Sequence, residues 1–328
     1  MKKGIVLLLV AMLLLAPAGR TEEALQKVTL NEVTHSVFYA PQYVAIELGF
    51  FAEEGIEIDL VNGGGSDRSM TAILASEADI GLMGPETAVY VYNQGKEDYA
   101  IIIGQLTNTD GSFLVGREKD EDFSWQDLKG KTIIGGRPGG MPLMTLLYVL
   151  KQNGLTPGTD VNVRTDIQFN LMAGAFEGSD ADYVTLFEPT ASLCEKEERG
   201  YIVASVGAES GSISYTAYMV RKSLLDENRD LYSRFVKAIA KGQQWVADHT
   251  PEEIAAVIAP QFPDADVALL TVVAKNYQSI GAWCVTPVMN EEAFTRMQDI
   301  IDGAGELSAR VLLEAIVDNS IALEVIGQ

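Results

Sequence analysis

Few side chains in this chain are typed and spaced for covalent chemistry. It has two histidines. His249 precedes Thr250-Pro251 at the end of a helical pattern, where a surface or capping role is expected. His35 lies in an aromatic segment, and a neutral imidazole there serves ligand contact and a structural hydrogen bond equally well. No Cys/His cluster has metal-ligand spacing. No G-x-S-x-G elbow is present. The run Gly63-Gly64-Gly65 lacks the Gly-Lys-Ser/Thr ending of a phosphate loop. No catalytic residue, metal or cofactor is expected on these grounds.

Binding is better provided for. Small-ligand sites are mostly apolar, with a few placed polar groups. Tyr39 and Tyr43, beside Phe38, offer aromatic walls, with core packing the competing role. Ser66, Asp67 and Arg68 open a helical pattern after a glycine run, and Ser66 or Asp67 is the expected cap. Arg68 could grip a sulfonate or carboxylate, or simply be solvated. Gly84, Glu86 and Thr87 surround Pro85 at a second helix start. Arg137, Gly139, Gly140 and Met141 form a loop before a third, where glycines let backbone approach a ligand. Glu188 follows a strand and would pair with a cationic or amide-bearing ligand or with Arg137, or act as a dipole-stabilised helix acid. Tyr215 lies where the chain returns from a second domain.

These residues need strands and helices to converge on one cleft. Ile56, Ile58 and Leu60 alternate with Glu57 and Asp59, the period of a half-buried strand. Asp79–Met83 and Ala100–Leu106 are apolar runs, the latter read as a central parallel strand. Strands alternating with helices imply doubly wound α/β sheets, with ligands at the carboxyl ends of the strands. Asp110-Gly111-Ser112 marks a crossing into a second α/β cycle, and Ser214–Val220 the return. The expected division is residues 26–111 and 216–328 as a discontinuous first domain around an inserted 112–215. From Asp226 the pattern is helical, including Glu291–Gly303 and Leu307–Val317.

Composition narrows the setting. Lys2 and Lys3, an apolar run from Ile5 to Leu15 and Ala16-Pro17-Ala18 read as a cleavable secretion signal over residues 1–18, the run being too short to span a bilayer. Arg20, not a cysteine, follows Gly19, so a free periplasmic or extracellular protein is expected and not a lipid-anchored one. Cleavage with Lys2 and Lys3 would take the formal charge from −22 to −24, which argues against nucleic acid and anionic membranes as partners. Cys194 and Cys284 are expected as free buried thiols.

The stretch from Phe38 to Val61, with Tyr43-Val44-Ala45, Gly49-Phe50-Phe51 and Glu54-Gly55-Ile56, then the glycine run, resembles the nitrate/sulfonate/taurine and thiamine-pyrimidine-precursor class of ABC-importer substrate-binding proteins. Ala78–Glu86, Lys129–Gly140 and Phe187-Glu188-Pro189 agree, so the resemblance runs through nearly the whole mature chain. It implies a type II periplasmic-binding-protein fold and a monomer that binds a small solute between two domains. Its partner would be a membrane permease with an ATPase. A sulfonate-, taurine- or nitrate-like anion is favoured. A thiamine-pyrimidine precursor or other flat heterocycle is the alternative. An enzyme of heterocycle metabolism on the same fold is the rival from another class, although the related fungal pyrimidine synthase has a cysteine-rich motif that nothing here matches.

Overall fold

Local sequence and backbone agree closely through the opening motif. In the computed structural model, which describes residues 24–327, Pro41 stands in the first turn of a helix over Ala40–Glu47. Gly49 follows that helix with φ 75°, and the alternating segment becomes the strand Ile56–Asn62. The expected leader, residues 1–18, lies outside the described residues.

Among the described residues ten strands form two sheets. The first contains β1 (Gln26–Glu32), β2 (Ile56–Asn62), β3 (Ile80–Met83), β4 (Ala100–Thr107) and β10 (Thr216–Arg221), in the order β2-β1-β3-β10-β4. The second contains β5 (Ser112–Gly116), β6 (Thr132–Ile134), β7 (Asn162–Arg164), β8 (Tyr183–Phe187) and β9 (Tyr201–Ser205), in the order β7-β6-β8-β5-β9. In each, four strands run parallel to one another and a single strand, β10 or β5, runs antiparallel to the neighbours on both its sides. The chain passes between sheets at 108–111 and again at 211–215. Two mixed sheets with flanking helices make an α/β molecule of two lobes.

Two expected elements differ. Ala100–Leu106 is not a central parallel strand: β4 pairs within the sheet only with antiparallel β10 and ends the sheet order. It is fully buried because a later segment covers its edge. Gln105 donates its N–H to Pro287, Cys284 to Leu106, Asn108 to Ala282 and Asp318 to Ile102. A covered edge leaves no unpaired row of backbone groups, so an edge strand can be as apolar as a central one. The helix expected over Leu307–Val317 shrinks to Leu313–Ile316. Gln298 explains the shortening: its side chain donates to Val311 O at 3.0 Å and accepts from Val311 N at 2.8 Å, holding that backbone extended.

The long amphipathic helix Arg229–Asp248 packs Leu231, Phe235, Val236, Ala238 and Ile239 into the first lobe. The helix Val267–Ser279 reaches the second lobe instead. Its Asn276 and Tyr277 bond Glu188, and Asp266 before it pairs with Lys196. The lobes also meet where Lys151 Nζ donates to Gly303 O at 2.5 Å. The cleft is therefore shut. Cys194 and Cys284 are free thiols, and burial pushes Cys284 up to about 12.

Candidate functional site

The carboxyl ends of β1, β3, β6 and β8 and both crossings face one interdomain space. Glu86 comes from the first turn of the helix Glu86–Asn93 after β3. Asp110 stands in the first crossing and Tyr215 just before β10. Thr145 faces them from the helix Met141–Gln152 of the second lobe, its hydroxyl donating to Met141 O. Tyr39 ends the short turn Val37–Tyr39.

Glu86 is 4 % exposed and Asp110 0 %. Glu86 Oε2, Asp110 Oδ2 and the Tyr215 hydroxyl are buried without a hydrogen-bond partner. Such atoms are rare and each asks for an explanation. Asp110 Oδ1 is occupied, accepting from Ser112 N at 2.7 Å and from the Ser112 hydroxyl. The Tyr215 hydroxyl lies beside Asp110, near enough for the two to perturb each other as hydrogen-bonding neighbours, and it feels the charges of Glu86 and Tyr39; its geometry falls short of a closed hydrogen bond to any of them. Burial pushes the Glu86 carboxyl up to about 7 and the Asp110 carboxyl up to about 6. Among the described residues no Lys or Arg forms an ion pair with either.

Aromatic rings wall this space. The Phe38 ring lies 5.7 Å from Tyr39, Phe187 and Tyr215 and 5.0 Å from Tyr277, centroid to centroid. Trp283 Nε1 donates to Phe38 O at 2.9 Å. Gly111 threads between the rings of the two lobes; a Cβ there would sit 2.7 Å from Phe187 and 2.8 Å from Phe38.

The remaining anticipated residues divide by location. His35 and Tyr43 belong to a buried network centred on Glu32. Glu32 accepts from Gln42 and Tyr43 at 2.8 Å each and from His35 Nδ1 at 2.7 Å. Tyr218 OH donates to Gln42 Oε1 at 3.0 Å. His35 Nε2 faces Gln261 O at 2.9 Å, so both ring nitrogens meet acceptors. The Glu32 bond foremost raises its pKa. The role open to His35 as a structural hydrogen bonder is thus the one its partners fill. Tyr43, 0 % exposed, is core and network, not wall.

Ser66 and Asp67 do not cap their helix: Gly65 is its N-cap and neither side chain makes the capping bond. The Gly65 carbonyl accepts from Arg68 N and Ser69 N at 3.1 Å, drawing Ser66 into the first turn. Nor does the glycine run leave all its N–H groups free. Gly63 N donates to Glu32 O at 2.7 Å and Gly64 N to Asn62 Oδ1 at 3.0 Å. Arg68 and Arg137 are both exposed. Arg137 does cross the cleft, its guanidinium 4.0 Å from where a Gly65 Cβ would be. Gly139 has φ 79°, Gly140 is the N-cap of the next helix, and Met141 is buried. Thr87 donates to Gly84 O at 2.7 Å. Glu188 does not pair with Arg137. Its oxygens accept from Ser192 N at 2.9 Å, Ser192 Oγ at 2.7 Å and Asn276 Nδ2 at 2.6 Å. It is the satisfied helix acid that also ties the lobes together.

Asp110, Thr145, Phe187 and Tyr277 were not anticipated as site residues. Asp110 stood in view, in the Asp-Gly-Ser punctuation of the crossing. Tyr277 had no signal, since it arrives from a helix far along the chain. Two surface depressions, one lined by Asp166, Gln168 and Leu171 and one by Glu292, Arg296 and Asp299, touch none of the buried acids. They carry no convergent polar chemistry, and the interdomain space, filled here by side chains, is the better site.

Two sheets of this order, crossed twice by the chain, are the type II periplasmic-binding-protein fold. The periplasmic aliphatic sulphonate binding protein SsuA of Escherichia coli shares it, at TM-score 0.71 and 14 % identity over 92 % of this chain and 99 % of that one. The chain belongs to the NMT1/THI5-like family, whose model matches residues 37–254. A Bacillus subtilis (strain 168) protein named as a binding protein, YtlA, is 43 % identical over 311 residues, 95 % of this chain and 93 % of that one. The riboflavin-binding protein RibY of Chloroflexus aurantiacus is 25 % identical over 325 residues, 93 % of this chain and 88 % of that one.

Proposed function

We propose that this protein is an extracytoplasmic solute receptor of an ABC importer. It takes a small organic solute into the interdomain cleft, closes on it and hands it to a permease. The observation that carries the reading is a group of unpartnered polar atoms, on Glu86 of the first lobe and on Asp110 and Tyr215 of the two crossings, under an aromatic wall to which Phe187 of the second lobe contributes. The names of relatives support binding over turnover, as does the engagement of Glu188 by Ser192 and Asn276, which leaves it no free role as a catalytic acid.

Closure would work by differential affinity. A ligand touching Glu86 in one lobe and Thr145 in the other stabilises only the shut form. The domain limits this implies are 26–111 with 216–328 around 112–215. The change of sheet between β4 and β5 and between β9 and β10 supports them. On the ligand, two observations pull apart. Arg68 and Arg137 would suit the sulfonate-type anion, but they are exposed at the cleft mouth. The buried charges at its centre are negative.

Native mass spectrometry of the mature protein, with gentle release of retained solute, tests the reading. A stoichiometric small molecule is expected, because closure buries what it holds. A protein that is empty as purified and binds nothing in a solute panel would sink it.

A further inference from the structure

The first lobe buries acids in two ways. Glu32 is surrounded by donors: Gln42, Tyr43 and His35 all bond it. Glu86 and Asp110 are not. Each keeps one oxygen unpartnered, and the polar groups facing them from neighbouring elements are Tyr39, Tyr90, Tyr215, Tyr277 and Thr145, with no cation. A buried carboxylate is tolerated when something pairs it. Here the pairing group is missing from the chain itself, in the space where a ligand would sit.

Resting on the receptor reading above, we infer that the solute is a small nitrogen base, a flat ring or short stem bearing an amine or amidine whose N–H groups are received by Glu86 Oε2 and Asp110 Oδ2. The aromatic wall suits such a group, since Phe38, Tyr39 and Tyr215 present ring faces and edges to a ring or a cation. The Tyr215 hydroxyl, unpartnered between both acids, completes the recognition of a second donor or acceptor. A sulfonate would bring negative charge against two acids with no counter-ion. It could enter only if both were protonated, and that gives opposite pH dependences for the two ligand classes.

Gly84 is part of the device. A Cβ there would overlap the Glu86 carboxylate, which folds back over it. Gly84→Ala therefore displaces the acid without removing its charge.

The test is calorimetric titration of the full mature protein with benzamidine and cytosine as nitrogenous probes and with ethanesulfonate and nitrate as anionic ones, at pH 5.5 and pH 8. Benzamidine or cytosine is expected to bind. The benzamidine affinity should rise at least tenfold from pH 5.5 to pH 8, with proton release. Glu86→Gln, Asp110→Asn and Gly84→Ala should each weaken it tenfold or more, whereas Arg68→Ala should not. Glu86→Gln and Asp110→Asn are near-isosteric, and far-ultraviolet circular dichroism checks that each variant is folded. Ethanesulfonate or nitrate binding that tightens at pH 5.5, or that is lost in Arg68→Ala alone, overturns the inference and leaves the receptor intact. Binding by neither class, with no retained solute, overturns both.

Discussion

Glu86, the acid proposed to receive the ligand, is a liability to the empty protein. Its folded pKa, about 7, lies above the ordinary glutamate value of 4.5, so the folded form holds a proton that the unfolded chain has released. Stability from such a group is present below the unfolded pKa and is lost as pH rises through the folded one. A shift of this size corresponds to ~3 kcal/mol. Asp110, raised from 3.8 to about 6, acts in the same direction. His35, a base whose folded pKa is raised, also contributes stability below its unfolded value that fades as pH climbs. The unliganded protein should therefore be more stable to urea at pH 5 than at pH 8. Glu86→Gln cannot ionise, so it should match wild type at pH 5 and exceed it at pH 8 by roughly 2–3 kcal/mol. Equal stabilities of the two proteins at pH 8 would mean that Glu86 is not desolvated as described. Tyr43 belongs to the same scale with a different role: its hydroxyl satisfies Glu32 and accepts from Ser36 N at 3.2 Å. Tyr43→Phe should cost about 1–2 kcal/mol in urea denaturation, the loss of a buried bond, and leave ligand affinity unchanged.

At the scale of elements, the helix Val267–Ser279 decides how the lobes are joined. Asn276 donates to Glu188 Oε1 and Tyr277 OH accepts from Glu188 N, so one helix of the C-terminal segment holds the start of the helix Thr190–Lys196 in the other lobe. Removing one partner of a buried acid costs more than the bond contributed, because the remaining group stays desolvated. Asn276→Ala should lower the unfolding free energy by about 1–3 kcal/mol in urea titration. Asn276→Asp should be worse, since it sets a second carboxylate against Glu188. An unchanged midpoint in the alanine variant would show that Ser192 alone satisfies the acid. Elements of this kind were only half legible. Hydrophobic period gave the helix Val267–Ser279, but nothing in that period says which lobe it reaches. β4 misled for a related reason: an apolar run reports burial, and burial came from a covering segment, not from two flanking parallel strands.

For the whole molecule, the shut cleft and two crossings predict a ligand-dependent shape. Small-angle scattering of the mature protein should show a larger radius of gyration empty than loaded, with a single monomeric species in both states. Identical dimensions in the two states would exclude closure as the mechanism. The same geometry predicts that ligand and protonation compete. Filling the space between Glu86 and Asp110 with a base replaces the protons those acids would otherwise hold. Ligand-induced gain in melting temperature should then be greater at pH 8 than at pH 5.5, and saturation at ~100 Kd should add about 2.7 kcal/mol. The acidic sequence as a whole, at −22, is not the ground for the proposed preference; the unpartnered oxygens of Glu86 and Asp110 are.

The sequence by itself determined the α/β alternation, the two changes of sheet and the family. Those are local matters, because strand and helix periods, prolines at helix starts and glycines at turns act within a few residues of themselves. Tertiary structure alone decided which polar groups are spent and which are left open. Glu32, Glu86 and Glu188 look alike in the chain, each an acid at a strand's end or at the start of a helix. Glu32 draws donors from its own lobe and Glu188 from a helix nearly ninety residues later, whereas Glu86 has only its own backbone N–H nearby and keeps Oε2 unpartnered. Hydrogen-bond satisfaction is a property of the packed interior, where groups distant in sequence exclude water together. The residue that waits for a ligand can be told from those that have partners only there.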